Sequence, residues 1–123
     1  MLPALGLLSI LFGAVHILNP HTSWPGIVNT ILVGMVFGLA YLRTRQLWLP
    51  IGWHWGWNLA EASFGFPVSG LKMTGMPFVA IVSGSSLWTG GAYGPEASVP
   101  GTVVLLLGLG LVLCLPQVVP NAE

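Results

Sequence analysis

Few side chains in this sequence can do chemistry, and they are set inside long apolar runs: His16, Asn29, His54, Asn58 and Glu61. Phe12 and His16 are four apart, so on a helix they share one face. His54 and Asn58 have the same spacing, and Glu61 follows three residues later, so the three form one polar stripe. A neutral imidazole can hold a water, donate to a developing oxyanion or shuttle a proton. An amide one turn away adds a fixed donor to the same oxygen, as hydrolysis of an acyl compound requires. No Ser or Cys stands beside a histidine in a triad-like context, and no His-Glu-x-x-His motif is present. Catalytic zinc usually takes three protein ligands. Only Glu61 or His21 is left to be the third, and Pro20 with the following turn carries His21 to the end of its segment. The expectation is a site with neither metal nor cofactor.

Each residue also has a plainer reading. A histidine pair can act as glue between helices, worth about 0.6–2 kcal/mol. Asn29 fits a helix–helix contact equally well, and Phe12 fits packing. Glu61, roughly 21 Å along its helix at the α-helical rise, reads as a solvated group near the outer interface. Gly34 and Gly38 form a small-xxx-small pair that lets two helices approach closely.

The elements that must position these residues are unusually apolar. The chain has 123 residues, 54% of them hydrophobic and 5% charged, against roughly 25% charged in a soluble domain. A water-soluble monomer is therefore not expected. Three basic residues balance three acidic ones and no basic patch exists, so nucleic-acid binding is set aside. The length allows one domain. The single Cys114 forbids an internal disulfide and reads as a small core or lipid-facing residue.

Four stretches approach the length needed to cross a bilayer: Leu2 to Leu18, Trp24 to Leu42, Leu47 to Phe66 and Ser98 to Pro116. In lipid each must satisfy its own backbone, so all four are expected as helices. The fold class is thus all-α: a polytopic transmembrane bundle of about four helices, with a Gly/Pro-rich loop or re-entrant segment before the last. Residues 1–66 hold the chemistry-bearing helices, 67–97 the loop or re-entrant piece, 98–116 the terminal helix and 117–123 a frayed tail. Within the loop, Met76 to Trp88 reads either as an interfacial piece over one mouth of the bundle or as an irregular outer loop. Arg43 and Arg45 favour a cytoplasmic link between the second and third helices, two positive charges against Lys72 on the other side. No positive n-region precedes the first segment, so it is not a secretory signal. The sequence opens directly into a hydrophobic helix, as the back part of a longer protein would.

Depth brings the polar groups together. At 1.5 Å per residue, His16 lies about 16 Å along the first helix, His54 about 10 Å and Asn58 about 16 Å along the third, which runs the same way. They can face one another.

The spelling around them resembles a family. The run from Ser9 to His16 (SILFGAVH) is similar to the Phe-x-x-x-His motif of the CPBP intramembrane proteases, the type II CAAX prenyl endopeptidases and bacteriocin-processing or immunity proteins. The run from Leu47 to Asn58 (LWLPIGWHWGWN) resembles their His-x-x-x-Asn motif with its Leu-Trp-x-Pro-Ile-Gly lead-in. Asn29 to Arg45 looks like the connecting helix, and Thr89 to Glu96 (TGGAYGPE) like a segment common in bacterial members. The resemblance implies an integral membrane protein of a prokaryotic plasma membrane that hydrolyses peptide bonds of prenylated or other membrane-associated proteins. His16, His54 and Asn58 would position water and stabilise the oxyanion. In the family a Glu-Glu-x-x-x-Arg motif on an earlier helix supplies the glutamate that activates water, which makes a metal unnecessary although older descriptions speak of metalloproteases. No Glu-Glu occurs here. The expectation is a C-terminal fragment, partnered by lipid and by missing N-terminal helices and inactive alone; the alternative is a non-catalytic scaffold or immunity protein.

Overall fold

A computed structural model describes residues 2–118. The elements in chain order are α1 (Leu2–Val15), a 3-10 turn (His16–Leu18), α2 (Trp24–Thr44), α3 (Trp48–Ser63), the single-turn α4 (Ser86–Thr89), a second 3-10 turn (Pro95–Ala97) and α5 (Val99–Cys114). The described residues contain no strand, only an isolated bridge between Val68 and Leu71. The all-helical expectation holds. Of these helices, only α2, with 21 residues, is long and apolar enough to cross a membrane; α1 and α5 are apolar but shorter.

Helix ends follow local chemistry. Ser23 and Ser98 cap α2 and α5, each side chain accepting an amide hydrogen three residues on, with a proline in the first turn. α2 stops at Arg45, which adopts a left-handed conformation (φ 56°) and returns its N–H to the Tyr41 carbonyl. The last turn of α5 is tied to α2: the Arg43 guanidinium donates to the Leu115 carbonyl at 3.2 Å, and the Val118 N–H donates to the Arg43 carbonyl at 2.8 Å. The start of the expected frayed tail is therefore strapped down; residues 119–123 lie outside the described ones.

α2 is the central helix, with α1, α3 and α5 packed around it. Small residues set the α1 approach. A Cβ on Gly34 would stand 3.1 Å from Ser9 Cα, and one on Gly38 would run into the Leu5 side chain, so the small pair works as a close-contact seam. Val36, Ala40 and Val112 form the buried centre, with Leu39, Leu109 and Trp53 against it. Trp53 lies over Gly108, where a Cβ would meet its ring. Meanwhile Leu7, Leu8, Leu11, Leu106, Leu107 and Leu111 all face outward. In water such a surface would be an adhesive patch.

Residues 64–98 return over the end of the bundle where α1 and α3 finish and α2 and α5 begin. Residues 76–85 lack regular structure, and Phe78, Val79 and Ile81 are exposed. Its anchor is a tight turn. Val68 and Leu71 exchange both backbone hydrogen bonds at 2.9 Å around Ser69 (φ 47°) and Gly70 (φ 82°). Positive φ at both central residues marks the hairpin turn that glycine favours. A Cβ at Gly70 would also strike the Pro20 carbonyl. Gly70→Ala should therefore cost roughly 1–3 kcal/mol, read as a lower unfolding temperature in detergent micelles; an unchanged midpoint would remove this turn as an anchor.

Candidate functional site

Under that covering segment lies a cavity of about 40 Å³, room for an ordered water where polar partners surround it. His16, Asn29, His54, Asn58, Ser69 and Glu96 supply its polar walls. Helix α1 with its 3-10 turn brings His16, α2 brings Asn29, and α3 brings His54 and Asn58 one turn apart. His16, His54 and Asn58, each partly exposed, thus line one cavity, as the depth arithmetic allows.

Each ring is held. His16 Nδ1 lies 2.7 Å from the Phe12 carbonyl. A carbonyl only accepts, so Nδ1 carries the hydrogen, and in the neutral ring the distal Nε2 is left with its lone pair. His54 is packed between two aromatic rings: Phe12 edge-on at 5.9 Å and Phe37 tilted at 5.4 Å. Phe12 also lies 4.8 Å from the His16 ring. The aromatic residue read as packing is thus the wall the two histidines have in common.

Asn29 is a clamp. Only 3% exposed, it donates through Nδ2 to the carbonyls of Glu96 (2.7 Å) and Ser98 (3.3 Å), while its Oδ1 accepts from the Thr102 hydroxyl (2.9 Å). Its partners are the covering segment and the start of α5. It fixes where Glu96 stands.

Glu96 is the site residue that sequence reasoning missed. Its carboxylate accepts the Ser69 N–H at 2.5 Å, and the Ser69 turn is itself held by Asn19, which donates to the Ser69 carbonyl at 3.0 Å. Burial pushes the Glu96 carboxyl up from its ordinary range, while the Ser69 contacts and nearby His16 pull the other way. The signal available was a glutamate placed by Gly94-Pro95 in a chain with three acidic residues. Nothing local says it folds back onto α1 and α3. Gly94 makes the path possible: its φ is 115°, and a side chain there would meet the Pro67 carbonyl.

Glu61 departs from expectation. It is 5% exposed, not solvated, and among the described residues neither carboxyl oxygen has a hydrogen-bond partner. The axial rise correctly puts it at the end of α3, but the chain turns back immediately, with the Phe66 N–H on the Glu61 carbonyl at 2.9 Å, and covers it. Glu61 does not line the cavity. Orphaned buried polar atoms cost stability, so Glu61→Met, of similar length, should raise unfolding stability by about 1–3 kcal/mol. A loss on thermal unfolding would mean the carboxyl is doing structural service.

Among the described residues no three His, Cys, Asp or Glu side chains gather closely enough to hold a metal ion together.

Residues 2–60 match the family described as type II CAAX prenyl endopeptidase Rce1-like. No curated protein and no solved structure matches the chain. The matched stretch contains Phe12, His16, His54 and Asn58, the residues that build the aromatic wall and three of the polar walls of the cavity. This match, over just under half of the chain, supports its membership of the CPBP family, with the Rce1-like CAAX proteases.

Proposed function

We propose that this protein carries the carbonyl-binding and water-holding part of a membrane endopeptidase site, acting on CAAX-like, prenylated or other membrane-associated peptides from within the bundle. One observation carries the reading: His16, His54 and Asn58 line a single cavity with room for water. His16 Nε2 accepts a hydrogen bond from that water and orients it. His54 and the Asn58 amide donate to the oxygen that becomes an oxyanion when the scissile carbonyl is attacked. The site works without a metal. The apolar outer faces support a polytopic bundle whose solvent is lipid, in a prokaryotic plasma membrane, with the Arg43–Arg45 link on the cytoplasmic side.

By the family's own route a Glu-Glu-x-x-x-Arg glutamate takes the proton from water, and these 123 residues contain no such motif. On that route the chain is a C-terminal part, silent alone and active when a helix bearing the motif joins it. The missing motif equally favours a non-catalytic scaffold or immunity protein. Cleavage of a membrane-anchored peptide in proteoliposomes, with and without such a helix, separates the two. Cleavage that depends on His54 supports the peptidase; none under either condition supports the scaffold.

A further inference from the structure

A larger hollow lies at the opposite end of the bundle from the water cavity. Where α2 turns into α3, an open groove of about 670 Å³ is lined by Tyr41, Arg45, Gln46, Leu47, Trp48 and Ile51. Its walls are of two kinds. Phenol, guanidinium, carboxamide and indole all donate hydrogen bonds, while Leu47 and Ile51 offer hydrocarbon. Trp48, Leu47 and Ile51 are each more than half exposed. No acidic residue among the described ones lines this groove. Glu61 lies near the end of α3 and Glu96 in the covering segment, both at the far end of the bundle, and Glu123 lies outside the described residues.

The two arginines of the link have different employment. Arg43 is committed to structure, its guanidinium donating to the Leu115 carbonyl. Arg45 is exposed and lines the groove. Its backbone is left-handed, with φ 56°, at the helix-end position that glycine occupies without strain. An arginine there gives up stability that a residue chosen only to stop the helix would keep. The residue after it is steadied by Thr44, whose hydroxyl accepts the Gln46 N–H at 3.3 Å and donates to the Ala40 carbonyl at 2.8 Å. The link is a held turn that presents a cation.

We infer that this groove binds the headgroup of an anionic phospholipid. A guanidinium forks onto phosphate oxygens, and the Gln46 amide and the Trp48 indole add donors to the same group. Aromatic side chains with one polar atom settle at headgroup level, and basic pockets at the cytoplasmic ends of membrane helices take acidic headgroups. Leu47 and Ile51 decide between a lipid and a free phosphate. Inorganic phosphate would leave them in water, whereas the first acyl methylenes of a lipid cover them. The inference rests on the bilayer placement proposed above and is independent of the peptide chemistry.

The test titrates the full chain in detergent micelles with dioleoylphosphatidylglycerol, dioleoylphosphatidylcholine or inorganic phosphate, read by native mass spectrometry. Wild type should hold phosphatidylglycerol in preference to phosphatidylcholine, and millimolar phosphate should not displace it. Arg45→Gly should weaken that hold about fivefold, the worth of one cation near the membrane surface. Its thermal unfolding midpoint should stay level or rise, because the left-handed strain is gone. A merely structural arginine would not lose lipid while the fold is kept. Arg45→Lys, charged but without the fork, should fall between the two, and Lys72→Gln, outside the groove, should bind as wild type does. Three results overturn the inference: equal retention by Arg45→Gly, displacement by inorganic phosphate, or an equal loss in Lys72→Gln. Each leaves the bilayer placement standing as long as wild type carries phospholipid. A wild-type chain that holds neither lipid and stays monodisperse without detergent overturns both.

Discussion

Replacing His54 by phenylalanine is expected to lower peptide cleavage by about 10²–10³-fold, the usual worth of one oxyanion donor, while leaving the bundle intact. Phenylalanine is the informative choice because His54 does two things. Its ring fills the gap between Phe12 and Phe37, and on the proposed reading its nitrogen donates into the cavity it lines. His54→Ala removes both and leaves a hole that itself costs stability; His54→Phe keeps the aromatic packing and removes only the hydrogen bond. Asn58→Ala should fall in the same range, for the same oxygen. Because that bond strengthens only as charge develops, kcat should drop while KM stays near wild type. The pair should not multiply: His54→Phe with Asn58→Ala should lose less than the product of the single losses, since on the proposed reading both donors serve one oxyanion. Measured cleavage within threefold of wild type for both single variants would remove His54 and Asn58 from the reaction.

Asn29→Ala is the second large effect, and it acts without touching the reacting atoms. The substitution strands the Glu96 carbonyl in a region where Asn29 itself is buried, while the Ser98 carbonyl keeps the Thr102 N–H and the Thr102 hydroxyl keeps the Ser98 carbonyl. Groups left unpaired in this way cost about 1–3 kcal/mol, seen as a lower midpoint of thermal unfolding in nanodiscs. Cleavage should fall further than stability explains, by about 10²-fold, because a displacement near 1 Å of the 3-10 turn at Pro95–Ala97 reshapes the cavity wall that Glu96 and Ser69 supply. Asn29→Asp discriminates. It keeps the acceptor for Thr102 but points a second oxygen at two carbonyls and buries a charge, so it should be worse than alanine. A milder aspartate would show that the amide does not clamp this segment.

The helical type of each long element and its place along the chain were legible because a long apolar run away from water has one economical backbone solution, although of these helices only α2 is long and apolar enough to span a bilayer. The same holds for His16, His54 and Asn58. Their spacing of four, and the equal depths of parallel helices, are consequences of a fixed rise per residue, so the cavity they line could be inferred from arithmetic. The seam at Gly34 and Gly38 followed from residue size alone.

Glu96 and Glu61 obeyed no such rule. Both lie at the boundary between helix and connection, where position depends on how residues 64–98 fold back over the bundle. That path is set by long-range contacts: Asn29 to Glu96, Asn19 to Ser69, and the Gly70 amide on the Tyr93 carbonyl. Residues tens of positions apart meet there for reasons of shape, and no local periodicity encodes the meeting. Helical repeat placed two histidines and an amide around a water-sized space. Only the returning connection put one glutamate on that space's wall and sealed the other away from it, because burial is a property of what arrives on top, not of the residue beneath.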